Sequence, residues 1–202
     1  MNTGELWGFI LAGLVLVGSP GPATLSLGAA GAAFGFRGTG FYLLGILAAA
    51  ALILVGVAAG LLTAILSIPH AAVILGTVSF AYLVYLAYRI ATAPLATGSR
   101  EVAAAPGFMT GFGFNLSNPK AYAAFASLFA GFDLVPDDPF YAALAEILTC
   151  FSIIVIVDFV WIFAGSALRH HSHDSRKGRI INVSFALLLI LSVVPAFFMS
   201  FS

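Results

Sequence analysis

Asn115-Leu116-Ser117-Asn118-Pro119-Lys120-Ala121 lies inside an apolar run that extends from about residue 107 to 131. Two amides, a helix-breaking proline and a lysine are expensive in hydrocarbon. A charged side chain at the bilayer centre costs about 2.5 to 3.5 kcal/mol on insertion scales. The stretch is therefore expected to face a cavity or a partner, and function is its default reading. A second interruption, Gly18-Ser19-Pro20-Gly21-Pro22, breaks the first apolar run in a corresponding way.

The rest of the chain makes hydrocarbon the right reference solvent. Of 202 residues, 61% are hydrophobic and 8% are charged, and mean hydropathy is +1.09. Soluble domains carry about 25% charged residues, so the chain reads as an integral membrane protein. Net charge is zero, and no excess of positive charge points to nucleic acid as a partner. Cys150 stands alone, which excludes an internal disulfide or a thiol relay. The first residues carry Glu5 and no Lys or Arg, so this segment reads as a retained first helix instead of a signal peptide.

Six runs are long enough to cross a core of about 30 Å. They cover residues 6–33, 39–66, 71–93, 107–131, 141–168 and 180–201. Arg37, Arg89, Arg100, Arg169, Arg176, Lys177 and Arg179 all fall at the odd-numbered connections, whereas Asp133, Asp137 and Asp138 follow run four. Positive residues in short loops stay cytoplasmic, which places both termini outside. Lys120 is left within the membrane.

Runs one to three and four to six then form two halves of three, and a three-helix unit repeated once inserts with inverted topology. The expected fold is an all-α single transmembrane domain over 1–202. Its halves, about 1–93 and 107–202, are joined by a cytoplasmic loop at 94–106. Ser19-Pro20 is matched to Asn118-Pro119, with both breaks at similar depth. Paired broken helices in inverted halves point to a transporter's binding site.

Each break frees backbone groups for a ligand, and the half-helix N-terminus that follows favours a carboxylate. The candidate substrate-binding residues are Pro20, Gly21, Pro22, Asn115, Asn118, Pro119, Lys120 and Tyr122. Asn115, Asn118 and Tyr122 are expected to form one polar stripe. Asp158, in an apolar segment, is the candidate counter-ion of Lys120 and the candidate site of proton coupling. Glu146 is assigned to the outer interface or a vestibule. Gly31 with Gly35, Gly56 with Gly60, and Gly107 with Gly111 have the spacing that lets helices approach closely, and a homodimer through such faces stays open. Tyr82, Tyr85 and Tyr88 read as an interfacial belt. His170, His171 and His173 lack a defined ligand spacing and sit among basic residues, so neither a metal nor a cofactor is expected. Arg169, Arg176, Lys177 and Arg179 suit lipid headgroups instead. No intramembrane Ser/His or paired-Asp arrangement suggests an enzyme.

Pro20-Gly21-Pro22, Gly35-Phe36-Arg37-Gly38, Gly45, the Gly76 to Leu86 segment, and Gly111-Phe112 leading to Asn118-Pro119-Lys120 together resemble the LysE/RhtB family of bacterial amino-acid exporters. The resemblance covers nearly the whole chain in order. It implies a small inner-membrane carrier that exports amino acids or related metabolites, driven by the proton gradient. Many relatives carry Asp or Asn after the proline-glycine-proline motif, whereas this chain has Ala23. The alternative on the same fold is a carrier or channel for ions such as divalent cations, which calls for a ring of carboxylates or carbonyls.

Overall fold

The computed structural model describes residues 3–60, 67, 71–92, 105–168, 179–180, 183–191 and 194. All regular structure among them is helical. Seven helices follow in order: α1 (Thr3–Gly18), α2 (Pro22–Gly38), α3 (Gly40–Ala58), α4 (Ala71–Ala91), α5 (Phe108–Leu116), α6 (Pro119–Gly131) and α7 (Pro139–Leu168). Residues 183–191 are also helical. Helices α3 and α7 are each long and apolar enough to cross a membrane, and α1 with α2, bent by 59° at their break, is long and apolar enough for a third span if the pair is taken as one.

Both interruptions are real breaks. Pro22 opens α2 and Pro119 opens α6, each at the first helical position, where the missing N–H is no loss because it would have no intrahelical acceptor. Pro22 and Pro119 thus hold the same position in their helices, whereas matching Ser19-Pro20 to Asn118-Pro119 sets Pro119 against a residue of the connection. Proline 20 lies in the connection and is exposed. Gly35, at φ 74 and ψ 172, kinks α2 near its end; this backbone region is essentially restricted to glycine, which accounts for the separator at residues 35–38.

The core divides at the level of the breaks. One cluster gathers Leu27, Tyr42, Ile46, Phe114 and Ile162, toward the end that carries Arg37. The other gathers Phe9, Ile53, Phe125, Leu128 and Cys150.

The two ends are packed by different means. In the first cluster the helices cross with backbone against backbone. A Cβ on Gly165 would run into the Gly28 carbonyl, one on Gly45 into the Phe108 carbonyl, and one on Gly111 into the Tyr42 carbonyl. Tyr42 also donates its hydroxyl to Ser26 Oγ at 3.0 Å, joining α3 to α2. In the second cluster large side chains interdigitate instead, with the Phe9 ring set edge-on to Phe132 at 5.7 Å.

The glycine spacing predicts this only in part. Gly31 and Gly111 make close approaches, but Gly60 and Gly107 face open space. Tyr85 and Tyr88 are exposed, as an interfacial belt requires; the Tyr82 side chain lies outside the described residues, as do His170, His171, His173 and most of the basic loop. Arg179 Nη1 donates to the Ala91 carbonyl at 2.6 Å, tying the start of run six to the end of run three.

Candidate functional site

A broken helix exposes backbone groups that need partners. At the first break, Trp161 Nε1 donates to the Gly18 carbonyl at 3.3 Å. Thr24 Oγ1 accepts the Gly21 N–H at 2.9 Å and faces the Gly21 and Ser19 carbonyls at 3.1 and 3.4 Å. Lys120 Nζ, arriving from the other break, donates to the Ser19 carbonyl at 2.6 Å and to Ser19 Oγ at 2.9 Å. The two interruptions, about a hundred residues apart in sequence, are thus joined by one ammonium group.

Gly21 makes this possible by its size. Its φ of −165° suits any residue, but a Cβ there would sit 2.6 Å from Lys120 Cδ and 2.7 Å from Nζ.

The second break satisfies itself. Asn118 caps α6, its Oδ1 accepting the Lys120 N–H at 3.2 Å, and its Nδ2 donates to Asn115 Oδ1 at 3.2 Å. Asn115 Nδ2 reaches across to the Ile46 carbonyl at 3.0 Å, pinning α5 to α3. The Tyr122 hydroxyl donates to the Leu116 carbonyl at 2.8 Å. In this structure, then, the expected polar stripe spends its hydrogen bonds on the backbone and on itself.

A cavity of about 40 Å³ lies between the breaks. A buried water needs at least 10 to 15 Å³, so the space has room for a few waters. Lys120, Asn115, Asn118, Gly21, Thr24 and Asp158 line it, with apolar walls from α1, α3 and α6. Pro20, Pro22, Pro119 and Tyr122 do not line it.

Asp158 is 3% exposed, and its Oδ2 has no hydrogen-bond partner among the described residues. The expected ion pair with Lys120 is not formed, although both groups border one cavity; the lysine is held by Ser19, whose carbonyl lost its helical partner at the break. Glu146 borders no part of this cavity. It is buried and bonds the backbone of Leu134, so it clamps the loop before α7 instead of opening onto a vestibule.

At the start of α2, in contrast to α6, no side chain accepts a first-turn N–H. The N–H groups of Ala23 and Thr24, in its first turn, have no backbone acceptor among the described residues, and both residues line the cavity. Among the described residues no three His, Cys, Asp or Glu side chains gather to hold a metal.

The family model for the LysE type translocator matches residues 14–199. The chain belongs to the LysE type translocator family. As a LysE-family protein it is a multi-pass membrane protein that moves small molecules across the bilayer, and both helix breaks fall inside the matched region. No curated protein and no solved structure gives a significant match.

Ser19 and Thr24 escape a reading of this LysE-family sequence by charge and proline alone. For Thr24 a signal exists: it stands three residues after Gly21, the N-cap, where a side chain can reach back to the cap's N–H. Ser19 has no such signal, because its partner is a lysine from the other half of the chain.

Proposed function

We propose that this translocator is an inner-membrane exporter of amino acids or closely related metabolites, coupled to protons and working by alternating access between two inverted three-helix halves. The reading rests on one observation: Lys120 joins the two helix breaks at a cavity that it shares with the unpaired Asp158. A substrate carboxylate fits at the α2 N-terminus, where the free N–H groups of Ala23 and Thr24 and the helix dipole favour negative charge. Lys120 has three ammonium N–H donors; Ser19 uses two, and the third is available to the carboxylate.

At 40 Å³ the cavity is too small for an amino acid in this state, so loading requires the halves to move apart on one side. Both termini face the periplasm in this reading, and the Arg37 end is cytoplasmic.

Counterflow in proteoliposomes with a panel of labelled amino acids, with and without an imposed pH gradient, tests the proposal. Movement of at least one amino acid, accelerated by the gradient, is the expected result. Failure of every amino acid, with a divalent cation moving instead, would overturn it.

A further inference from the structure

We propose that Asp158 is a shared seat, taken in turn by the substrate's ammonium group and by the coupling proton, so that the two exclude each other. The inference rests on the amino-acid export reading and specifies how its coupling works. Asp158 lies on α7, is 3% exposed, borders the cavity and has an oxygen without a hydrogen bond among the described residues. A buried carboxylate left charged and unpartnered is strongly unfavourable. It needs either a cation or a proton.

The resident cation is committed elsewhere. Lys120 points its ammonium at Ser19, on the opposite break. Of the elements that border the cavity, α1, α2 and α3 present no ionisable side chain to it, α5 presents Asn115, and α6 presents Lys120. Among the described residues no second cation borders the cavity, so in this proposal it comes from the ligand. An α-amino acid supplies one at a fixed, short distance from the carboxylate that the α2 N-terminus and Lys120 would hold. With one resident cation and one resident carboxylate, the site matches a zwitterion charge for charge.

The contracted cavity fits the other half of the cycle. Without substrate, a proton on Asp158 Oδ2 removes the unpaired charge and lets the walls close to a space for a few waters. Binding of an ammonium displaces that proton, and departure of the substrate lets a new proton in from the side to which the seat then opens. One proton enters for each amino acid that leaves. The net movement is one positive charge inward, since the zwitterion carries none.

Substrate-evoked proton release from the purified protein decides the matter. The protein is held in weakly buffered detergent solution with a pH-indicating dye and titrated with a pool of neutral L-amino acids. Close to one proton per bound amino acid is expected, and none from the N-acetylated forms of the same pool, which should not bind. In the acid range, the apparent affinity should fall about tenfold per pH unit. Asp158→Asn should abolish proton release and flatten the pH dependence, and Asp158→Glu should retain both. Amino acids that bind without releasing protons, N-acetylated forms that bind equally well, or release that persists in Asp158→Asn would overturn the shared seat while leaving amino-acid export standing. Absence of binding by any amino acid would overturn both. The wild-type arms decide even if neither variant folds.

Discussion

The Lys120 ammonium and the Ser19 carbonyl meet at 2.6 Å across a sequence separation of 101 residues. One hydrogen bond therefore records the relation between two halves of the chain. The carbonyl is available because a turn of helix ends there, and the lysine is tolerated because that carbonyl and the Ser19 hydroxyl receive it. Lys120→Ala is expected to abolish transport while leaving membrane insertion intact, as read by efflux alongside the amount of protein in the membrane fraction. Ser19→Ala keeps the backbone acceptor and loses only the hydroxyl. A loss of about 1 kcal/mol, or roughly fivefold in transport, is the expected scale.

Gly21→Ala tests the same relationship from the side of space. Alanine is compatible with the extended backbone at this position, so the effect falls on Lys120, whose Cδ and Nζ the new methyl would meet at 2.6 and 2.7 Å. Transport should drop at least tenfold with no comparable fall in thermal stability. Equal losses of stability and transport would show that the glycine serves the helix start instead.

Asn115→Ala separates holding a substrate from holding a helix. Its amide ties α5 to the Ile46 carbonyl and receives Asn118. Leaving buried polar groups without partners costs about 1 to 3 kcal/mol. The expected signature is a lower unfolding temperature of the purified protein, with the substrate concentration at half-maximal efflux changed by less than threefold.

The glycine crossings predict a graded stability series. Gly45→Ala and Gly165→Ala drive a methyl into a carbonyl of the neighbouring helix, and overpacking of this kind costs about 1 to 3 kcal/mol. Gly40→Ala and Gly107→Ala enter open space and should stay within about 0.5 kcal/mol of wild type. Thermal unfolding of the four variants in one detergent makes the comparison.

Ala23→Asp asks how the cavity's charge sets its choice. Residue 23 lines the cavity, so a second carboxylate would sit beside Asp158 with one lysine to answer both. Uptake in counterflow should shift by at least fivefold from neutral amino acids toward those with a basic side chain.

Much of this arrangement was legible before any coordinates. The two proline breaks and Lys120 stand out because hydrocarbon gives polar groups no other reason to be there. The register of the breaks was not legible, since Pro20 and Pro22 are both plausible helix starts and only the backbone shows that α2 begins at Pro22. The hydrogen-bond partners of the amides were not legible for a related reason. Asn115 and Asn118 have the chemistry of ligand groups, but their nearest unsatisfied partners are Ile46's carbonyl and each other, and a sequence does not say which carbonyl lies across a helix crossing. The close approaches at Gly28, Gly45 and Gly165 were not legible, because a four-residue spacing rule looks along one helix, whereas their reason lies on the facing one.

The contrast between the two ends of the bundle bears on time. Where Gly28 meets Gly165 and Gly45 meets Phe108, nothing smaller than a whole helix can get out of the way, and collective displacements of that size run in microseconds to milliseconds. Beyond the breaks, Phe125 and Leu128 fill the path with side chains, whose rotations are far faster when they have room to turn. The periplasmic exit in the proposed orientation is thus a door with a quick latch, and the cytoplasmic entrance is one that swings on its frame. In the proposed cycle the slower of the two would set the pace, and it is the one through which cargo would enter.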